Sequence, residues 1–303
     1  MALFGIVASS INFVPSHNSP KDLISGGVEL AAHINGSLYY ERMGRSGPVM
    51  AFVHPNPMDQ SCWIYQMAHL STWYRCIAID LPGYGRSPKA ELGLTTDDMA
   101  DGCWEAIDEA VPGEWAILVG CSVGSAIVPY MHLQRPQRAR ALVLSGTGYN
   151  PAKEFAARRI KAYTEQGIDY RWGYTLEDLS PAFRATPIAH FFADMFAERN
   201  RYADLQSILY LFAALGKPDA EDHHARIACP TIILSGSEDA THQSAFALRE
   251  KIPGCEMKIL YGAGHACQIE QPWLFDRFIV EFLVKHGLFP GEIESLRSPS
   301  LPG

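Results

Sequence analysis

The chain has no basic surface to offer a polyanion. Of its 303 residues, 25 are Lys or Arg against 33 Asp or Glu, giving a formal net charge of -8, and no run of basic residues stands out. Phosphate backbones and anionic headgroups repel such a chain, which excludes nucleic acid and a membrane surface as expected partners. There is also no CxxC pair among its seven cysteines, which are scattered singly along the chain. That spacing fits free thiols in a reducing compartment and excludes the dense disulfide framework of a small secreted domain. No apolar stretch approaches the roughly 18 residues needed to cross a bilayer. The opening MALFGIVASSINFVP has neither a basic n-region nor a cleavage site, so the expectation is a soluble, cytoplasmic protein. Internal repeats are lacking. His223-His224 has no third ligand pattern nearby and sits in a charged stretch, DAEDHHAR; a solvated loop is the reading, and no metal is expected.

What the sequence does have is a large core. Hydrophobic residues make up 48%, charged ones 19%, and there are six Trp, a globular composition sized for one large domain with an insertion. From Val28 onward, short apolar runs alternate with longer helical ones. VELAAHING and SLYYERMG read as a hairpin turning at Asn35-Gly36. PVMAFVH (48–54), RCIAID (75–80), WAILVGC (115–121), RALVLSG (140–146), PTIILSG (230–236) and EMKILYG (256–262) follow. Runs apolar throughout suit strands buried on both faces. Helical stretches lie around 61–73, 96–111, 123–134, 243–252 and 272–286. In the last, Trp273, Leu274, Phe278, Ile279, Phe282 and Leu283 recur at helical spacing between Pro272 and Gly287. The alternation predicts an α/β fold, a mostly parallel eight-stranded sheet flanked by helices.

One segment breaks the alternation. Residues 147–225 carry helical pattern and interspersed aromatics, and read as a helical cap inserted into the core. The expected organisation is therefore an N-terminal extension (1–27), a first core part (28–146), the cap (147–225), a second core part (226–287) and a C-terminal tail (288–303). A helical pattern around 191–215 also offers a surface for a homodimer.

Gly120-Cys121-Ser122-Val123-Gly124 matches GxSxG between a predicted strand and a predicted helix. A serine nucleophile needs such a context: a strained turn lifts it at the strand's C-terminal end, and flanking glycines relieve crowding. The helix N-terminus supplies a backbone N–H for a developing oxyanion. Cys121 reads as a small inward-packing hydrophobe.

With this elbow, DLPGYGRS (80–87), GSEDA (236–240) and GAGHACQIEQP (262–272), each just past a predicted strand, the chain resembles the α/β-hydrolase fold superfamily over roughly Val28 to Gly287. The resemblance implies a catalytic set in the chain order Ser122, Asp239, His265, with His265 as base and Asp239 fixing its tautomer. Asp239 also reads as a helix N-cap, and the adjacent Glu238 is its rival. The family usually has His-Gly after the third strand; here His54-Pro55 stands instead, and proline donates no N–H. By the resemblance, the oxyanion hole falls to the backbone N–H groups of Asn56 and Val123. Asn56-Pro57 also resembles the HGNP loop of haloalkane dehalogenases, whose aspartate nucleophile Ser122 excludes here.

These residues imply acyl transfer to water on a small ester or lactone, with no metal or organic cofactor required. The Phe- and Tyr-rich cap implies a largely apolar or aromatic substrate, with Arg184, His190 and Phe191 as candidate substrate contacts. Zearalenone-type lactonases place their acid after the sixth strand, where this chain reads SGTGYNPAK without a carboxylate before Glu154. Meta-cleavage C–C hydrolysis is the alternative, and a ligand-binding receptor, a lyase or a cofactor-free oxygenase stays open, because function belongs to the site rather than the fold.

Overall fold

The structure, a computed structural model, describes residues 34, 36–149, 152–217 and 222–291. The elements run β1 (Tyr40–Met43), β2 (Val49–Val53), α1 (Ile64–Leu70), β3 (Arg75–Ile79), α2 (Thr96–Ala110), β4 (Ala116–Cys121), α3 (Val123–Gln134) and β5 (Ala139–Ser145). Then α4 (Ala152–Gln166), α5 (Tyr170–Glu177), α6 (Pro181–Arg184), α7 (Pro187–Glu198) and α8 (Leu205–Leu215) follow without a strand. The chain returns to alternation with β6 (Thr231–Gly236), α9 (His242–Lys251), β7 (Glu256–Leu260), α10 (Cys267–Glu270) and α11 (Pro272–Lys285).

The strands form one sheet in the order β1-β3-β2-β4-β5-β6-β7, parallel except for β1, which pairs antiparallel with β3. Seven strands are present among the described residues against the eight expected. The difference is the first arm of the expected hairpin, residues 28–36, which lies outside the described residues except for Ile34 and Gly36. Ile34 makes a single antiparallel bridge to Ala90.

Helices cover both faces, which is why β2, β4 and β6 are buried at every residue and read as unbroken apolar runs. One core holds Trp104, Leu118 and Ile127; the other holds Phe52, Trp63 and Phe275. The edge strand β7 is partly exposed and carries Glu256 and Lys258, charges that discourage pairing with another sheet. A capping box fixes the start of α2: Thr95 accepts from the Asp98 N–H while the Asp98 carboxylate accepts from Thr95 N.

On α11 the buried stripe is turned from the expected one. Phe275, Asp276, Ile279, Val280, Phe282 and Leu283 face inward, whereas Trp273 is 68% exposed. Asp276 takes a place an apolar count passes over because His69 Nδ1 donates to its carboxylate at 2.9 Å, supplying the partner that a buried charge needs. The single helical pattern expected around 191–215 is two helices, α7 and α8, separated by a 3-10 turn at Arg199–Tyr202. Ile208, Leu211 and Phe212 of α8 are buried within the chain's own core, while Phe191 of α7 is exposed.

Candidate active site

In a parallel sheet the carboxyl ends of the strands share one edge, and the loops leaving them converge. Here those loops bring His54–Asn56 after β2, Ser122 after β4, Gly146 after β5, Asp239 after β6 and His265 after β7 to that edge.

Ser122 occupies the turn between β4 and α3 with φ 54° and ψ -114°, the one non-glycine residue with positive φ among those described. Such a backbone costs about 1–3 kcal/mol and persists only where its surroundings enforce it. The two flanking glycines show the enforcement. A Cβ on Gly124 would lie 2.1 Å from the Val53 carbonyl oxygen, and one on Gly120 would lie 2.5 Å from the Gly124 backbone. The turn is therefore pressed between α3 and the end of β2. Ser122 N–H donates to Ser145 O at 2.9 Å, and Ser125 Oγ donates to Gly120 O and Ser145 O, tying the turn to β5. Cys121 is buried with its thiol toward Gln268, and burial pushes its pKa well up, which favours the protonated thiol.

His265 Nδ1 donates to Asp239 Oδ1 at 3.0 Å, and the Asp239 side chain is 1% exposed. Asp239 also accepts from Thr241 N at 2.8 Å and Thr241 Oγ1 at 2.7 Å. The same carboxylate thus organises the turn before α9 and holds the imidazole, so the capping role expected as its rival coexists with the histidine contact. Glu238 is exposed and lines the same cavity, but His265 Nδ1 bonds to Asp239. With its proton on Nδ1, His265 leaves the Nε2 lone pair free to accept one. Burial opposes charging of His265, but the carboxylates of Asp239 and Asp178 outweigh it and raise its pKa above the ordinary imidazole value. Burial likewise works against ionised Asp239, yet His265 pulls it below its ordinary range.

In the β2 loop, Pro55 sits between two buried polar side chains, His54 and Asn56. His54, fully buried, donates from Nδ1 to Pro55 O at 2.9 Å and accepts Leu81 N–H on Nε2 at 3.0 Å. Burial holds its pKa down to about 4, so it stays a neutral brace. Asn56 is also fully buried, its Oδ1 accepting from Tyr84 Oη at 2.6 Å and Tyr163 Oη at 2.9 Å. Val123 opens α3 beside the serine.

The helical insertion is fastened over this edge. Tyr163 of α4 reaches Asn56, Arg171 Nε of α5 donates to Pro57 O at 2.8 Å, and Asp178 O accepts His265 N–H at 2.7 Å. Glu270 then accepts from Gly264 N, Ser180 N and Ser180 Oγ. Two cavities meet at His265. One of about 130 Å³ is lined by Ser122, Val123, Phe155, Leu215 and small residues. The other, about 650 Å³, carries Arg158, Arg159, Asp178, Arg184, Asp239 and His265 on its walls.

The chamber beside His265 is charged, whereas the cavity that holds Ser122 is lined mostly by apolar groups such as Val123, Ala126, Phe155 and Leu215. Arg184 stands at the mouth of the chamber, its Nη2 donating to Glu177 O and Leu179 O. His190 is exposed near Trp172, and Phe191, 58% exposed, lies in a separate groove with Tyr65 and Ile188. Neither lines a cavity that holds Ser122 or His265. The sequence reading missed Asp178 and Arg159. Arg159 lies within α4 and Asp178 just past α5, with no motif around either, and only the tertiary fold brings them to His265. His223 and His224 stack at 3.9 Å between ring centroids, with His224 Nδ1 on Asp222 at 2.9 Å, in a structural turn.

A family model described as "Alpha/beta hydrolase family" matches residues 50–274. The AB hydrolase superfamily protein YisY of Bacillus subtilis is 29% identical over 81% of this chain and 95% of its own length. A thermophilic esterase from Thermogutta terrifontis superposes with a TM-score of 0.70 at 25% identity, covering 82% of this chain and 93% of that one. The enol-lactonase from Burkholderia xenovorans LB400 superposes with a TM-score of 0.73 at 21% identity, covering 84% and 99%, a likeness of fold.

Proposed function

The chain belongs to the alpha/beta hydrolase family, and from that premise we propose that it is a serine hydrolase cleaving a carboxylic ester or lactone of a small substrate through an acyl-enzyme. The observation that carries this reading is the pairing of a strained serine (φ 54°) with a carboxylate-held histidine on the wall of one cavity. Ser122 attacks the carbonyl carbon as His265 Nε2 takes its proton. The backbone N–H groups of Val123 and Asn56 hold the tetrahedral oxyanion, and His265 returns the proton to the departing oxygen. Water repeats the sequence on the acyl-enzyme and releases the acid. Asp239 holds the imidazole in the tautomer that leaves Nε2 unprotonated and stabilises the imidazolium that forms. The insertion serves as a cap: Tyr163 and Arg171 brace the oxyanion loop, and the segment around Asp178 braces the histidine loop.

A fluorophosphonate probe followed by peptide mass analysis tests the assignment. Labelling at Ser122, with turnover of 4-nitrophenyl acetate that Ser122→Ala abolishes, is the expected result. A folded protein that is neither labelled nor active on aryl esters and lactones refutes it. Turnover of vinylogous diketones in preference to esters would move the reading to C–C bond hydrolysis.

A further inference from the structure

Most charges around the chamber beside His265 sit at its exposed mouth, and Arg184 there is already committed to two backbone carbonyls. Deeper in, four groups remain: Asp239, His265, Asp178 and Arg159. Asp239 and His265 are bound to one another. The other two have unmet hydrogen-bonding capacity. Asp178 is 8% exposed and its Oδ2 is buried without a partner; Arg159 Nε is likewise buried without one. Buried polar atoms left unpaired cost about 1–3 kcal/mol each, so a pair of them on one cavity wall calls for a ligand group.

The setting of Arg159 says which. Its guanidinium lies 3.5 Å from the Tyr174 ring centroid, and Nη1 donates to Tyr170 Oη at 2.7 Å. Stacking fixes the plane and Tyr170 occupies one corner, which leaves the edge bearing Nε for a planar acceptor. Side-on bidentate pairing through such an edge is the geometry that suits a carboxylate. Resting on the serine-hydrolase reading above, we propose that this chamber receives a carboxylate carried by the substrate away from the bond to be cut, with Arg159 as its anchor. The substrate class is then the monoester, or the lactone acid, of a dicarboxylic acid.

Asp178 does not bar such an anion. Burial pushes its carboxyl up to about 7, with His265 and Arg159 lowering it and Asp239 and Glu177 raising it. An arriving carboxylate adds a further negative neighbour, so Asp178 takes up a proton and its buried oxygen becomes a donor to the ligand.

The test compares mono-4-nitrophenyl esters of glutaric and adipic acid with the same compounds bearing a methyl ester at the far end. Nitrophenolate release by the wild type is expected to favour the free acids by about 10- to 100-fold in kcat/KM, the range of a charge-assisted pair. Arg159→Gln is expected to bring that ratio close to one through KM, and Arg159→Lys to leave it intermediate, which also guards against a misfolded Gln variant. Equal turnover of acid and methyl ester by the wild type, or a preference that survives in Arg159→Gln, overturns the proposal while leaving the serine hydrolase intact. Calorimetric binding of glutarate to Ser122→Ala reads the subsite without turnover. Binding that Arg159→Gln removes supports it even if no ester is cleaved, and absence of binding overturns it.

Discussion

Asp239→Asn isolates the charge on the histidine's partner from its geometry. In many sites an amide at this position rotates its NH2 toward the imidazole and forces the wrong tautomer, at a cost of ~10⁴ in kcat. Here Thr241 decides the orientation. Its backbone N–H donates to the same Oδ1 that receives His265, at 2.8 Å, so the amide oxygen must take that place. The amide nitrogen then falls at the Oδ2 position, where the Thr241 hydroxyl, now a donor at 2.7 Å, can turn to accept. The variant keeps the tautomer and loses the charge. For a pair at about 4 Å in an effective dielectric near 20, that charge is worth about 4 kcal/mol to the imidazolium; a retained neutral hydrogen bond of about 1 kcal/mol offsets part of it. The net of about 3 kcal/mol lowers kcat/KM by ~10²-fold. Asp239→Ala loses the acceptor as well and strands both Thr241 donors, and falls by ~10⁴-fold. Measured with 4-nitrophenyl acetate from pH 5 to 10, the expected order is wild type, then Asn, then Ala, with the acid limb of the Asn profile at lower pH because His265 has lost its main raising partner. Asn and Ala falling together would refute the orienting role of Thr241. Asn within about threefold of wild type would show that the charge of Asp239 is unused.

Two further changes probe the same edge. Asp178→Asn removes the second carboxylate that raises His265, so the acid limb of the wild-type profile is expected to move to lower pH. The same variant has a stability signature in urea titrations. A buried carboxyl raised from 3.8 to about 7 holds its proton more tightly folded than unfolded, so its contribution is full below about pH 4 and is lost as pH rises through about 7. The non-titrating Asn is therefore expected to gain on the wild type at pH 8, by at most on the order of 4 kcal/mol, and not at pH 4; an equal difference at both pH values contradicts the burial argument. Gly124→Ala places a Cβ 2.1 Å from the Val53 carbonyl, a backbone contact that cannot yield. It is expected to lower the urea midpoint sharply or to prevent folding, and a midpoint within experimental error of wild type would show that the elbow is not compressed.

Much of this edge was legible because single residues there serve local geometry and chemistry together. Gly120 and Gly124 have to be small because α3 and β2 crowd them, so the same spacing that marks a nucleophile also marks a tight turn. The strands were readable from apolar runs because both faces are covered. Asp276 was not legible: a buried aspartate on α11 breaks the periodic count, and the His69 that compensates it lies 207 positions away. Arg159 and Asp178 were hidden for the same reason, one an ordinary residue of α4 and the other the residue that follows α5, until α4, α5 and the β7 loop are brought together. Aromatic composition alone does not say which rings of the insertion face the site. Tyr163 and Tyr170 pack edge to face and Phe155 and Phe212 contact one another; of these four rings only Phe155 also lines the cavities at His265, and the charged residues of the insertion line the larger one.

The insertion and the histidine loop share their hydrogen bonds closely enough to be considered one mechanical piece. The N–H of His265 and that of Ala266 both donate to Asp178 O, and Glu270 bridges Gly264 to Ser180. A Cβ on Gly264 would lie 2.5 Å from Ser180 N, so the two backbones are in direct contact. A displacement of the α5 end relative to the sheet therefore drags His265 away from Asp239 unless these bonds break first. Breaking them exposes several backbone donors together, each costing about 1–3 kcal/mol if left dry. The helices α4 and α8, whose Phe155 and Leu215 line the smaller cavity, are pinned to the core as well, by Tyr163 Oη donating to Asn56 Oδ1 and by Ala90 N donating to Ser207 Oγ.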